Sequence, residues 1–272
     1  IELKSSLFNP VTRSNTINKA RGMIKNFLKI DEKKIVFFDH HFSHAYSACF
    51  NMPRDRESLI FSLDAEGSGL CASVNVFDGF NIKRISFTPK KASLGYLYSL
   101  ITMHLGMKPN EHEFKVMGLA PYAKQEHVAK IYPLFQNLFS FDKNDSLKFT
   151  SKFRMQYSDY FIRDKLNFVR FDTISAAVQR LTEELIMRWI REGIRKTGIK
   201  TVGLTGGVFM NVKANMLVAE MNEVEDVFVM PSAGDESTAI GACYYGYLLC
   251  CKDRGEQKAY EIKDLYLGPE YS

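Results

Sequence analysis

No apolar run in this 272-residue chain approaches the roughly 18 residues that a membrane-spanning helix requires. Nor does a basic, apolar and small-residue succession open it, so a secretory signal is not indicated. Cysteine is sparse: five residues, at 49, 71, 243, 250 and 251, form no C-x-x-C pair. The odd count and the spacing exclude a disulfide framework and suit a reduced, cytoplasmic protein. Blocks of like charge are missing too, because 36 basic and 31 acidic residues are interspersed to a net +5. Nucleic acid is therefore not an indicated partner, while small anionic ligands such as nucleotides remain open. The chain lacks G-x-G-x-x-G, G-x-x-x-x-G-K-[ST] and G-x-S-x-G, which leaves a dinucleotide fold, a P-loop and a hydrolase elbow without support. What remains is ordinary globular material, 46% apolar and 25% charged, long enough for one large domain or two subdomains.

Residues 14–29 have helical spacing, and "KIVFFD" then reads as a buried strand that delivers Asp39 and His40 to its end. Next, "SLIFSLDAEGSG", "LCASVNVFDGF" and "NIKRISFTP" alternate with period two and predict an antiparallel meander, with Asp78-Gly79 as a hairpin turn. Helices are expected at 93–105 and 115–138, and the polar, aromatic stretch 141–172 supports no assignment. A long amphipathic helix ending at Gly198 leads into strand "KTVGLTGG", helix "NVKANMLVAEMN", strand "DVFVMP" and helix "STAIGACYYGYLLCC". That β-α-β-α alternation implies an α/β layer.

Three of the six histidines fall at 40, 41 and 44. In a helix, His40 and His44 share one face and are able to share a metal ion, while His41 points elsewhere. Four segments carry further chemistry. "FSLDAEGSG" brings Asp64 and Gly67 to a strand end, where small residues admit phosphate oxygens to backbone N–H groups; a plain hairpin corner is the simpler reading. "LTGGVFMNVKAN" runs from a strand through Gly206-Gly207 into a helix, which is either a nucleotide-accepting helix start or a tight connection. "MPSAGDESTAIGAC" opens a helix with Asp235 and Glu236, as dipole-complementing caps or, for Asp235, as a metal ligand facing the histidine pair. In "EHEFKVMGLAPY", Lys115 is a point charge suited to a phosphate or a carbonyl, against the alternative of a solvated turn. Ser43 beside His44 makes no triad, because neighbours cannot supply the in-line hydrogen bond. Leu181, Leu185 and Trp189 read as core, and Cys250-Cys251 as buried helix surface.

In order and spacing, "HHFSHAYSA", "SLGYLYSLIT", "EHEFKVMGLAPY", "DTISAAVQRLTEEL", "LTGGVFMNVKAN" and "PSAGDESTAIGA" resemble the nodulation-type and antibiotic-biosynthesis O-carbamoyltransferases over about residues 35–272. The resemblance implies a domain similar to the tRNA threonylcarbamoyl transferases, with ribonuclease-H-like subdomains of the actin, hexokinase and Hsp70 architecture. On that basis residues 1–57 belong to the first subdomain, 58–265 to the second with a helical insertion, and 266–272 to a linker. The first strands would precede residue 1. A C-terminal domain after residue 272 would make carbamoyl adenylate from carbamoyl phosphate and ATP, and the present domain would pass the carbamoyl group to a hydroxyl acceptor.

Residue by residue, His40 and His44 match the family's H-x-x-x-H and Asp235 its distal metal-binding acid, with iron the usual divalent ion. Asp64 matches the acid of the second phosphate loop and joins the metal shell, with Gly67 in the same turn. Gly206, Gly207 and Asn211 match the adenosine-side segment, and Asp172 the acid that meets ribose. His41 or a metal-bound water is the candidate for removing the hydroxyl proton. Two departures stand out: Ala65 replaces the glycine usual after that acid, with Glu66 following, and "GGVFMNV" is bulkier than usual. Two alternatives remain: a tRNA threonylcarbamoyl transferase or hydrogenase-maturation relative, and a non-catalytic nucleotide-binding module.

Overall fold

The computed structural model describes residues 10–254 and 268–269, so most of the expected linker at 266–272 lies outside the described residues. The first half runs α1 (Pro10–Leu28), α2 (His40–Cys49), β1 (Ser58–Gly67), β2 (Leu70–Phe77), β3 (Ile82–Pro89), α3 (Leu94–His104), α4 (Glu113–Leu119) and α5 (Gln125–Gln136). The second runs β4 (Phe139–Phe141), β5 (Phe149–Ser151), α6 (Asp159–Leu166), α7 (Phe171–Thr197), β6 (Thr201–Thr205), α8 (Val212–Ala219), β7 (Asp226–Val229) and α9 (Glu236–Arg254).

Period-two alternation makes the sheet. Leu59, Phe61 and Leu63 of β1 enter the larger core, whereas Ile60 packs with Ala45, Ala48, Cys49 and Phe77 on the opposite face. Both faces are covered, which is why the first six residues of β1 are all buried. The five strands lie in the order β3-β2-β1-β6-β7. β2 is antiparallel to β1 and β3, while β1, β6 and β7 run parallel. One antiparallel strand in that order is the ribonuclease-H-like sheet that the resemblance implies, within an α/β fold. β6, α8 and β7 form the expected crossover unit.

α7 covers one face. Its close approach depends on Gly193, where a methyl would stand 2.7 Å from the Phe61 ring. Trp189 fills the joint: its ring meets Phe61 and Phe149, each at 4.9 Å between centroids, and its Nε1–H donates to the Leu147 carbonyl at 2.7 Å. Truncating a ring buried in this way costs about 3–5 kcal/mol. Leu181 and Leu185 are buried beside it, as expected of a core stripe. The helix stops at Gly198, whose φ of 76° suits a residue without a side chain.

Four expectations change. "KIVFFD" pairs with no strand among the described residues, and Val36 is 61% exposed; its apolar residues are not the signature of burial here. The helix expected over 115–138 is two helices, interrupted at Ala120–Tyr122 by a tight turn because Pro121 lacks the N–H that a continuing helix needs. The unassigned region holds a small hairpin, β4-β5, and α6. Cys250 is exposed and Cys251 half-buried, so neither forms the buried surface expected of them. Across residue 57, α2 shares a small core with β1 and β2.

Candidate metal centre

α2 begins where Asp39 accepts the Phe42 N–H at 3.0 Å, a side-chain cap. Burial alone would raise the Asp39 pKa, but the Arg84 guanidinium on β3 holds it below the ordinary carboxylate value. Arg84 also lies 4.0 Å over the Phe42 ring, so one cation clamps the first turn to the sheet. The helix then places His40 and His44 on one face, as the i, i+4 spacing requires.

Opposite them, the β1-β2 ladder breaks between the Leu63–Ala72 and Gly67–Leu70 pairs. Asp64, Ala65 and Glu66 thereby oppose the single residue Cys71, a bulge that turns Asp64 and Glu66 toward a cavity of about 650 Å³. The bare backbone of Gly67 accommodates the His40 ring: a methyl there would lie 1.9 Å from His40 Cδ2. α9 supplies the third wall. At Gly241 it crosses α2 so closely that a methyl would stand 1.7 Å from the Ser43 carbonyl oxygen. Asp235, just before α9, and Ser237, in its first turn, are carried in with it.

The result is a four-residue cluster. His40 Nε2 lies 3.1 Å from Asp64 Oδ2 and 3.4 Å from Asp235 Oδ1, and His44 Nε2 lies 3.3 and 3.7 Å from the same oxygens. The two Nε2 atoms are 3.0 Å apart, and one ligand atom from each of the four residues falls within 4.8 Å of the others. Ser237 Oγ, 2.9 Å from His44 Nδ1, orients that ring, the kind of outer contact that metal-binding imidazoles use.

The electrostatics suit a cation. Burial pushes Asp64 up, but hydrogen bonds with His40 and His44 outweigh it and hold Asp64 well below the ordinary carboxylate range. Asp235 is raised by burial and then by the Asp64 charge facing it. For His40, burial lowers the pKa, yet Asp64, with Asp235 and Asp39, raises it above the usual imidazole value. Two imidazoles and two facing carboxylates make an N₂O₂ donor set, which fits a divalent transition metal.

The remaining expected site residues divide. Gly207 and Asn211 line the cavity with Asp64 and Asp235. Gly206, at φ 97°, makes the turn that brings them there, and a methyl on it would strike the Leu63 carbonyl at 2.4 Å. Asp172 is not among the lining residues: its carboxylate accepts from Arg170 at 2.8 Å and from the Thr173 N–H at 2.7 Å, so it serves the start of α7. Lys115 is exposed, 5.7 Å from the Phe114 ring centroid, and also outside the lining.

His41 is fully buried, its Nδ1 2.8 Å from Ser62 Oγ. Behind that hydroxyl, Ser73 Oγ at 2.7 Å and Asn75 Nδ2 at 2.9 Å from Ser73 continue a buried chain across the sheet. Burial lowers its pKa to about 4. A group with no accessible surface does not meet a diffusing hydroxyl, so His41 anchors α2 and is not the expected base. Two contributors were not anticipated. Ser237 looked like one more helix-opening residue. Glu66 lines the cavity while binding Lys90 and the Tyr96 hydroxyl.

Among the described residues no helix is long and apolar enough to cross a membrane. The chain matches the family model described as carbamoyltransferase N-terminus over residues 6–244. It is 30% identical over 246 residues to the nodulation protein NolNO of Sinorhizobium fredii, covering 89% of this chain and 35% of that protein. It is 29% identical over 288 residues to the uncharacterized protein MJ1058 of Methanocaldococcus jannaschii, covering 95% of this chain and 45% of that one. The chain therefore spans less than half the length of these relatives. HypF of T. kodakarensis has a TM-score of 0.46 at 14% identity, over 86% of this chain and 39% of that structure, a likeness too distant to bear on function. On the match across residues 6–244, the chain belongs to the carbamoyltransferase N-terminus family.

Proposed function

We propose that this chain is the carbamoyl-transfer domain of an O-carbamoyltransferase whose longer polypeptide makes carbamoyl adenylate from carbamoyl phosphate and ATP. The acceptor is a hydroxyl of a sugar or natural product. The observation that carries the reading is the convergence of His40, His44, Asp64 and Asp235, from three separate parts of the chain, with both carboxylates lining one cavity. A volume of about 650 Å³ suits a nucleotide-sized ligand.

Charge supports a metal at the same place. Asp64, Glu66, Glu111, Glu113, Asp235 and Glu236 line the cavity, and among the described residues no lysine or arginine does. A phosphate-bearing ligand therefore needs a cation and backbone N–H groups to be held there. His40, His44, Asp64 and Asp235 would hold a divalent ion, iron being the proposed one. When bound, it supplies positive charge where negative charge develops on the carbonyl or phosphate oxygens.

In the transfer, the acceptor oxygen forms a bond to the carbamoyl carbon and the bond from that carbon to the phosphate oxygen breaks. AMP leaves with the electron pair, and the hydroxyl proton passes to solvent. Gly206 and Gly207 keep the wall beside Asp64 thin, because a methyl on Gly207 would stand 3.0 Å from Asp64 Oδ1. Arg84, Asp39 and the buried His41 chain hold α2 in register, so the two imidazoles are set before the ligand arrives.

Elemental analysis of the purified protein beside His44→Ala tests the centre: near-stoichiometric metal in the wild type and its loss in the variant are expected. Equal metal content in both would remove the proposed ligand set. For the reaction, the longer polypeptide is incubated with carbamoyl phosphate, ATP and a panel of hydroxyl acceptors. ATP-dependent carbamate formation is expected, and its absence across saccharide and natural-product acceptors would overturn the assignment.

A further inference from the structure

Gln179 lies in the middle of α7, only 5% exposed, with every hydrogen-bonding position engaged. Its Nε2 donates to Asn211 Oδ1 at 3.0 Å and to Glu183 Oε1 at 2.8 Å. Its Oε1 accepts from Asn211 Nδ2 at 2.8 Å and from the Tyr98 hydroxyl at 2.9 Å. Two donors and two acceptor positions exhaust a carboxamide, so Gln179 has nothing left for a ligand.

The orientation of this network is fixed from the backbone. The Ala214 N–H donates to Asn211 at 3.0 Å, capping α8, which identifies the receiving atom as Oδ1. Asn211 Nδ2 must then face Gln179 Oε1, and Gln179 Nε2 must return to Asn211 Oδ1 and reach the Glu183 carboxylate. Tyr98 spends its only proton on Gln179. Tyr98 and Asn211 both line the cavity, whereas Gln179 stands behind them. What this wall has left for a ligand is therefore a lone pair on Tyr98 and one N–H on Asn211.

We propose that Gln179 is a positioning residue that fixes this wall as an acceptor beside a donor, and that the pair reads the edge of a 6-aminopurine nucleotide. A 6-aminopurine presents an N–H donor beside a ring-nitrogen acceptor, and a 6-oxopurine reverses that order. A site whose polarity is fixed rejects the reversed edge, because it leaves buried polar atoms facing like atoms. The inference rests on the adenine-nucleotide reading of the cavity and names the residue that sets the polarity of its wall.

The test is calorimetric titration of the whole chain with AMP and with IMP, which differ only in the 6-substituent and its effect on the ring. Wild type is compared with Gln179→Glu, Gln179→Ala and Thr182→Ala. Thr182 is buried in the same helix and bonds only the Val178 carbonyl, so it controls for lost helix stability. We expect wild type to prefer AMP about tenfold or more. Gln179→Ala, which removes the acceptor that takes the Tyr98 proton, should reduce that preference to below about threefold, whereas Gln179→Glu, which keeps the acceptors, should retain it. Thr182→Ala should lower Tm and keep the ratio. An unchanged ratio in Gln179→Ala, with binding of both nucleotides weakened equally, would show a purely structural role and overturn the proposal. So would a wild type that binds AMP and IMP alike. Binding of neither by wild type would overturn the nucleotide reading itself, a separate result.

Discussion

In one group, two imidazoles meet two carboxylates, Asp64 and Asp235, that line the cavity. In the other, behind Asn211 and Tyr98, Gln179 has every donor and acceptor matched. The first sets like charges against each other, the Asp64 charge raising Asp235, and the second is at rest. The contrast separates groups that await a ligand from groups that hold geometry for one. It also predicts where substitution is expensive.

The largest effect should come at the cluster. Asp64→Asn removes the charge that both imidazoles share, and metal affinity measured by competition with a chromophoric chelator should fall about 100-fold or more. Because hydrogen bonds with both imidazoles stabilise the Asp64 carboxylate, Tm of the metal-free protein should fall as well, and an unchanged metal affinity would remove Asp64 from the ligand set. Gly241→Ala comes next, since its methyl would meet the Ser43 carbonyl at 1.7 Å. Urea unfolding should show a loss of about 2–3 kcal/mol, together with weaker metal binding, because α9 carries Asp235 and Ser237. Unchanged stability would mean that the two helices part without cost.

pH should pull the metal-free and metal-bound proteins in opposite directions. In the metal-free protein the folded-state pKa of His40 is raised, by Asp64 above all, despite burial that lowers it. Its protonated form therefore contributes stability that is fully present below the unfolded value of 6.5 and is lost as pH rises through the raised folded value. An ion must displace that proton, so metal affinity rises with pH over the same window, by up to about tenfold per unit. Parallel trends in Tm and metal affinity would contradict this. The smallest effect is expected from Lys115→Ala, because Lys115 is exposed and outside the cavity. Stability should change by less than about 0.5 kcal/mol, with metal content unaltered.

How much of this was legible in the sequence follows from what each element depends on. The helical histidine pair, the three-strand meander and the Gly198 stop rest on local periodicity and backbone freedom, and all three stand in the structure. "KIVFFD" failed because an apolar run predicts a strand only if a neighbour offers a ladder. Helical spacing already turned His41 about 100° away from His40; only the fold shows that Ser62 receives it. Gln179 was invisible for a different reason. A glutamine within a helix reads as surface, and only the fold shows that α7 turns it onto Asn211, 32 positions away. Ser237 was hidden in the same way, since its partner His44 is 193 positions distant.

The single tryptophan gives these comparisons a common optical readout. Trp189 belongs to α7, meets Phe61 of the strand that carries Asp64 edge to face, and donates to the carbonyl of Leu147 just ahead of β5. One chromophore thus spans the junction of sheet, long helix and small hairpin, in fully buried surroundings that shift indole emission to the blue. A variant that disturbs only the cluster should leave its spectrum in place. One that loosens α7 from β1 should shift the emission to the red, so a single emission scan distinguishes a changed site from a changed frame.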